Sequence, residues 1–136
     1  MASVQFVTVC VRDRKPLLAQ DSTHQLLVGS WAEADGWLVG RYVVMPDHVH
    51  LFCSERSPQS PPLAAWVRYW KGLVTRIWPS RDECPFWQRD FWDTGMRSRD
   101  QYERKWEYVR LNPVRAGLVG MPEEWPYAGE LNDLGL

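Results

Sequence analysis

Two histidines, His48 and His50, stand two residues apart inside the segment VVMPDHVHLF (43–52). On a strand this spacing sends both imidazoles out of one face while Val49 and Leu51 enter the other. Two imidazoles so placed can hold one metal ion between them, although neighbouring histidines also occur on solvated strand faces with no ligand at all. The chain has three histidines, and the third, His24, is expected on the surface of a helix. An ion held by two groups alone stays loosely bound, so a further ligand is needed. The last expected helix offers one. Tyr108 and Asn112 are spaced i, i+4 and share a helical face beside the apolar stripe of Tyr102, Trp106 and Val109. Taken alone, the same two residues also fit half-buried packing and a helix C-terminal cap.

The elements that must position these groups follow from periodicity and punctuation. Residues 3–11 (SVQFVTVCV) are rich in Val, Phe and Thr and partly alternate, which predicts a strand ending at Arg12-Asp13-Arg14-Lys15. A helix is expected over 21–35, capped by Asp21 or Ser22 and stopped at Gly36. Residues 37–45 and 48–54 read as two strands separated by Pro46-Asp47, close enough that they must pair antiparallel. After the Pro/Ser-rich loop 54–62, Leu63, Trp66, Val67, Trp70, Leu73, Val74 and Ile77 step by three and four, predicting an amphipathic helix that ends at Pro79. Residues 86–97 are expected as one irregular strand or two short ones. Ser98-x-x-Gln101 is a capping-box pattern opening a helix to about Leu111, before Pro113. The order β-α-β-β-α-β plus a final helix suits an α+β, ferredoxin-like sandwich: an antiparallel sheet with helices on one face and an extra C-terminal helix carrying Tyr108.

The 136 residues, 45% of them hydrophobic, predict a single domain over 1–136, with 116–136 an acidic irregular tail. Three scattered cysteines (Cys10, Cys53, Cys84) without a CxxC suggest neither a disulfide framework nor a cysteine zinc site, and favour a reducing cytoplasm. No apolar run reaches the length of a membrane span, and the first residues lack signal-peptide features. The net charge of -1 argues at first against a polyanionic partner. By segment it divides unevenly: four Lys/Arg against six Asp/Glu in 1–55, twelve against seven in 56–115, and none against four in 116–136. A basic middle between acidic ends is compatible with an anionic ligand, and equally with an ordinary solvated surface.

Read together, VVMPDHVHLF (43–52), QRDFWD (88–93) and YVRLNPVRAGLV (108–119) closely resemble the single-tyrosine HUH transposases of the insertion-sequence-200-like class, and within it the REP-associated tyrosine transposases. The resemblance runs from the first strand to Trp125-Pro126-Tyr127. It implies a ferredoxin-like catalytic domain in which His48, His50 and Asn112 hold a metal ion and Tyr108 is the nucleophile. Relatives often carry Gln at the third-ligand position, and many have Asn where this chain has Asp47; the first change keeps an amide oxygen, the second adds a negative charge beside the metal.

The implied activity is metal-dependent cleavage and rejoining of single-stranded, hairpin-bearing DNA through a 5′-phosphotyrosine. A phosphodiester repels nucleophiles, so a cation must stabilise the charge that develops, and a phenol of ordinary pKa near ~10 needs activation. An amide oxygen and phosphate oxygens beside imidazoles favour Mg²⁺ or Mn²⁺, the metals used by the family. Single-stranded or hairpin DNA suits a basic groove with aromatic platforms. Arg68, Lys71 and Arg76 on the second helix, with Arg97, Arg99, Arg104 and Arg115, are the candidate contacts. Of the nine tryptophans most belong in the core, and Trp87 and Trp92 are those expected to be exposed. The resemblance leaves open a homodimer or a monomer. Two other functions remain alongside: a domesticated protein that binds REP-like hairpins without transposition, and a metal-dependent phosphoesterase in which Tyr108 merely packs.

Overall fold

The computed structural model describes residues 3–83 and 86–136, the side chain of Glu83 excepted, so Cys84 lies outside the described residues. In chain order the strands are β1 (Val4–Cys10), β2 (Trp37–Val44), β3 (His48–Glu55), β4 (Trp92–Met96) and β5 (Ala128–Glu130). The helices are α1 (Asp21–Glu33), α2 (Leu63–Ile77), α3 (Arg99–Arg110) and α4 (Asn112–Arg115). All five strands form one antiparallel sheet in the order β4-β1-β3-β2-β5. Its first four strands carry the ferredoxin-like arrangement expected from the sequence.

Alternation along the strands sorts side chains into two layers. Val7 and Val9 of β1 and Val49, Leu51 and Cys53 of β3 enter a core with Leu27 and Trp31 of α1 and Trp66, Val67, Trp70 and Val74 of α2. On the opposite face Val4, Phe6, Phe52 and Met96 pack under Tyr102 and Val109 of α3. The expected extra helix therefore forms a third layer across the sheet from α1 and α2.

Local chemistry explains the ends of α3. The Ser98 hydroxyl accepts from the Gln101 N–H at 3.1 Å, while the Gln101 side chain reaches back to the Arg97 N–H at 2.8 Å. Such a cap is worth about 1 kcal/mol. Leu111 closes α3, and Asn112 opens the short α4 with Pro113 in its first turn, where a missing N–H costs nothing. Asn112 is thus the start of a new helix turn, not the cap of the old one.

Three expectations need correction. Residues 116–136 are not uniformly irregular: β5 pairs with Arg41–Val43 of β2, and the indole of Trp125 donates to the Val44 carbonyl at 3.0 Å. A three-residue strand is too short to show alternation. Trp87 is only 8% exposed, because its bridge to Val11 carries the ring over the core against Trp70 and Phe86. His24, expected on the surface, is half-buried, with Nε2 2.7 Å from the Tyr42 hydroxyl.

Among the described residues no helix is long and apolar enough to cross a membrane. Trp70 is fully buried and meets Trp31, Trp66 and Trp87 edge-on. Trp70→Ala is expected to lower unfolding stability by about 3–5 kcal/mol, read from chemical denaturation.

Candidate active site

His48 and His50 leave β3 on the α3 face, as their spacing requires, and their Nε2 atoms converge to 3.1 Å. Each ring is held by its other nitrogen. His48 Nδ1 lies 2.7 Å from Asp47 Oδ1, and His50 Nδ1 lies 2.8 Å from the hydroxyl of Thr8, its cross-strand neighbour on β1. A carboxylate can only accept, so His48 carries its proton on Nδ1 and presents a lone pair at Nε2. Thr8 can accept or donate. When it accepts, both Nε2 lone pairs face the same point; when it donates, His50 can instead pass an Nε2 proton towards His48. The hydroxyl thus allows two arrangements of the pair, one with both Nε2 lone pairs free and one internally hydrogen-bonded.

Asp47 is held in turn by Arg14, whose Nε donates to Oδ2 at 2.8 Å. Arg14 and His48 together hold the Asp47 carboxyl below its usual range in spite of burial. Burial lowers the proton affinity of His48 despite the adjacent carboxylate, so the Asp47 contact is a neutral N–H bond to a carboxylate. His50 is pushed down to about 3 by burial, helped by His48, Lys105, Arg14 and Arg115. Both imidazoles are therefore uncharged near neutrality, the form that ligates metal.

At the end of α3, Tyr108 is 59% exposed. Its ring lies under the Arg115 guanidinium at 3.9 Å, and Lys105 is 5.7 Å from the same ring. Lys105 also stands 4.8 Å over Phe6, which stacks on His50 at 5.3 Å, so one lysine links the tyrosine to the histidine pair. Arg115 donates to the Tyr108 carbonyl at 2.6 Å and to Asn112 Oδ1 at 2.7 Å. That bond uses one of the two lone pairs of Asn112 Oδ1 and leaves the other open. No group of three His, Cys, Asp or Glu gathers among the described residues.

No family model matches this chain. It is 28% identical over 102 residues to a candidate REP-associated tyrosine transposase of Haemophilus influenzae, a match covering 67% of this chain and 57% of the relative. It is 24% identical over 90 residues to the REP-associated tyrosine transposase of Escherichia coli, covering 66% and 52%. The solved structure of a REP-associated tyrosine transposase bound to a REP hairpin superposes with a TM-score of 0.79 at 23% identity, over 93% of this chain and 75% of that one. This chain is similar to the REP-associated tyrosine transposases. A candidate transposase of Deinococcus radiodurans shares the fold more distantly, with a TM-score of 0.58 at 18% identity, over 80% of this chain and 89% of that one. The chain spans about half the length of the curated REP-associated relatives it matches.

The basic residues singled out in the sequence do not form one surface. Arg68, Lys71 and Arg76 lie on α2, which packs on the sheet face opposite the histidines. Lys71 is committed to the Gln88 carbonyl at 2.8 Å and is not a free cation for phosphate. Arg97, Arg99, Arg104 and Arg115 belong to α3, its N-terminal approach and α4. Arg99 pairs with Glu103 and the Leu136 carbonyl, Arg104 pairs with Asp100, and Arg115 is occupied with Tyr108 and Asn112. Sequence reasoning missed Thr8 and Arg14, whose roles exist only in the register of β1 against β3 and in the turn that follows β1. Partners that orient metal-bound histidines typically matter 10- to 100-fold in affinity. If the pair takes a divalent ion, Thr8→Val and Asp47→Ala are each expected to weaken Mn²⁺ binding by roughly that factor, read from paramagnetic broadening of the histidine resonances with hairpin DNA present.

Proposed function

We propose that this chain is a divalent-metal-dependent single-strand DNA transesterase of the REP-associated type, acting on hairpin-bearing DNA through Tyr108. The observation that carries the reading is the convergence of the two Nε2 atoms at 3.1 Å with both Nδ1 atoms held from behind. Adjacent ligands of one ion with bonds of about 2.1 Å stand at such a separation. His48 and His50 would hold Mg²⁺ or Mn²⁺, with Asn112 as the third protein ligand through the Oδ1 lone pair that Arg115 leaves open. When bound, the ion supplies Lewis-acid stabilisation of charge on a phosphate oxygen.

The chain's own residues account for the rest. Tyr108 is exposed and presents its phenol at the end of α3. Attack of its oxygen on phosphorus forms a tyrosyl O–P bond and breaks the bond to the 3′-oxygen; the phenol proton passes to solvent and the departing 3′-oxygen takes one proton from solvent to leave as a 3′-hydroxyl. The 5′-phosphotyrosine keeps the ester's bond energy, so another 3′-hydroxyl can reverse the step and join new ends. Lys105, Arg14 and Arg115 place positive potential around His50. That field attracts a phosphodiester and, with Asp47 as the counter-charge, opposes a metal ion arriving alone; metal and DNA are expected to bind together.

Labelled hairpin-bearing single-stranded DNA incubated with Mn²⁺ is expected to give a denaturant-resistant adduct that disappears in Tyr108→Phe while hairpin binding persists. Cleavage surviving that substitution would sink the tyrosine mechanism in favour of hydrolysis, and binding without cleavage under any metal would leave a hairpin-binding protein. Arg115→Ala frees the Tyr108 ring and the Asn112 amide from one shared partner. It is expected to slow adduct formation at least tenfold and to change hairpin affinity by a smaller factor, a split visible by comparing single-turnover rates with equilibrium binding.

A further inference from the structure

The α3 side of the sheet is packed over Val4, Phe6, Phe52 and Met96, and beyond that patch the same face carries Thr8, His48, His50 and, on the outer strand β4, Trp92. Trp92 pairs directly with Thr8, the residue whose hydroxyl meets His50. Two strand spacings, roughly 10 Å, separate β4 from β3. The Trp92 ring is 59% exposed and lines an open groove of about 780 Å³ together with Arg12 and Arg89. Neither arginine has an ion-pair partner among the described residues. Asp13 and Asp90 line the same groove and offset the two cations, so affinity there has to come from the aromatic surface more than from net charge.

An exposed tryptophan alone is ordinary on a protein surface. Here the ring shares a face with the histidine pair, is joined to it through one hydrogen-bonded threonine, and is flanked by two guanidinium groups that make no ion pair among the described residues. We infer that Trp92 is the stacking platform for an unpaired base flanking the hairpin, on the strand whose phosphate reaches the histidine pair. This rests on the transesterase reading above and adds a subsite to it. The ring's face accepts any base, while Arg12 and Arg89 are placed to meet the phosphates on either side of it.

The test compares wild type, Trp92→Ala and Trp92→Phe on two DNAs: a hairpin with short unpaired flanks on both sides, and the same hairpin trimmed to its stem and loop. Loss of one base–aromatic stack is expected to weaken flanked-hairpin binding by about 5- to 100-fold in Trp92→Ala, with Trp92→Phe retaining most of it. Binding of the trimmed hairpin should not change. A 2-aminopurine scanned through the flanks should be quenched at one position by wild type and not by Trp92→Ala. Equal losses on both DNAs, or a Trp92→Ala protein that binds the flanked hairpin like wild type, would overturn the subsite. Wild-type adduct formation tests the parent reading separately: an adduct with an indifferent Trp92→Ala removes the subsite alone, whereas wild type that neither binds nor cleaves removes both.

Discussion

The register of β1 against β3 is the constraint on which the candidate site depends. Thr8 opposite His50 and Cys10 opposite His48 put a hydroxyl and a small side chain beside the imidazoles. The intervening pairs Val7–Leu51 and Val9–Val49 send four aliphatic side chains into the tryptophan-lined core. A slip of one residue would exchange the two sets. It would drive two imidazoles into an apolar layer at a cost of some kcal/mol each and leave valines in water. The orientation of the histidines is therefore enforced from the opposite face, by burial of Val49, Leu51 and Cys53 beneath α2. A site built in this way needs little loop structure of its own, which leaves the hydrogen bonds of Thr8 and Asp47 to choose tautomers and ring angles.

The acidic residue at position 47 is reconciled with its surroundings by the turn after β1. Asp13 and Arg14 both adopt left-handed backbone conformations, with φ of 58° and 54°, a strain of about 1 kcal/mol each for residues other than glycine. That turn delivers Arg14 to Asp47. The extra negative charge thus reaches the site already paired, and its second oxygen serves His48 as an amide oxygen would. With Arg14 balancing Asp47, the surplus around His50 comes from Lys105 and Arg115, both carried by the tyrosine end of the molecule. The positive field and the exposed phenol therefore arrive on the same stretch of chain.

Much of this was legible from the residues. Alternation in 3–11 and 37–54 located three strands and the direction of the histidines. The three-and-four spacing of Leu63 to Ile77 located α2, and Ser98 with Gln101 located the start of α3. What escaped has a common physical cause. Helical periodicity says which side of a helix is apolar and not which face of a sheet will cover it, so the basic residues of α2 and α3 looked like one surface. Thr8 and Arg14 are 42 and 34 residues from the histidines they meet and carry no local signal. Trp87, followed directly by Gln88-Arg89-Asp90, looked exposed until a single bridge to Val11 turned its ring inward.

The division of charge between layers has a consequence at the β4 edge. Arg68 and Lys71 line an open groove with Arg89 and Phe91, and Arg89 also lines the groove beside Trp92. The segment leading into β4 thus joins the α2 layer to the histidine face. Lys71 fixes this segment through the carbonyls of Gln88 and Arg89, and the Trp87 indole returns a bond to the Lys71 carbonyl at 3.2 Å. Burial lowers the proton affinity of Lys71, as fits an ammonium drawn out of solvent against two backbone carbonyls. Its charge acts by fixing the backbone on which Arg89 is mounted. In the proposed function, a strand leaving the histidine pair past Trp92 would meet Arg89 before any cation of α2, so the net +5 of residues 56–115 overstates the positive surface open to DNA on the histidine face.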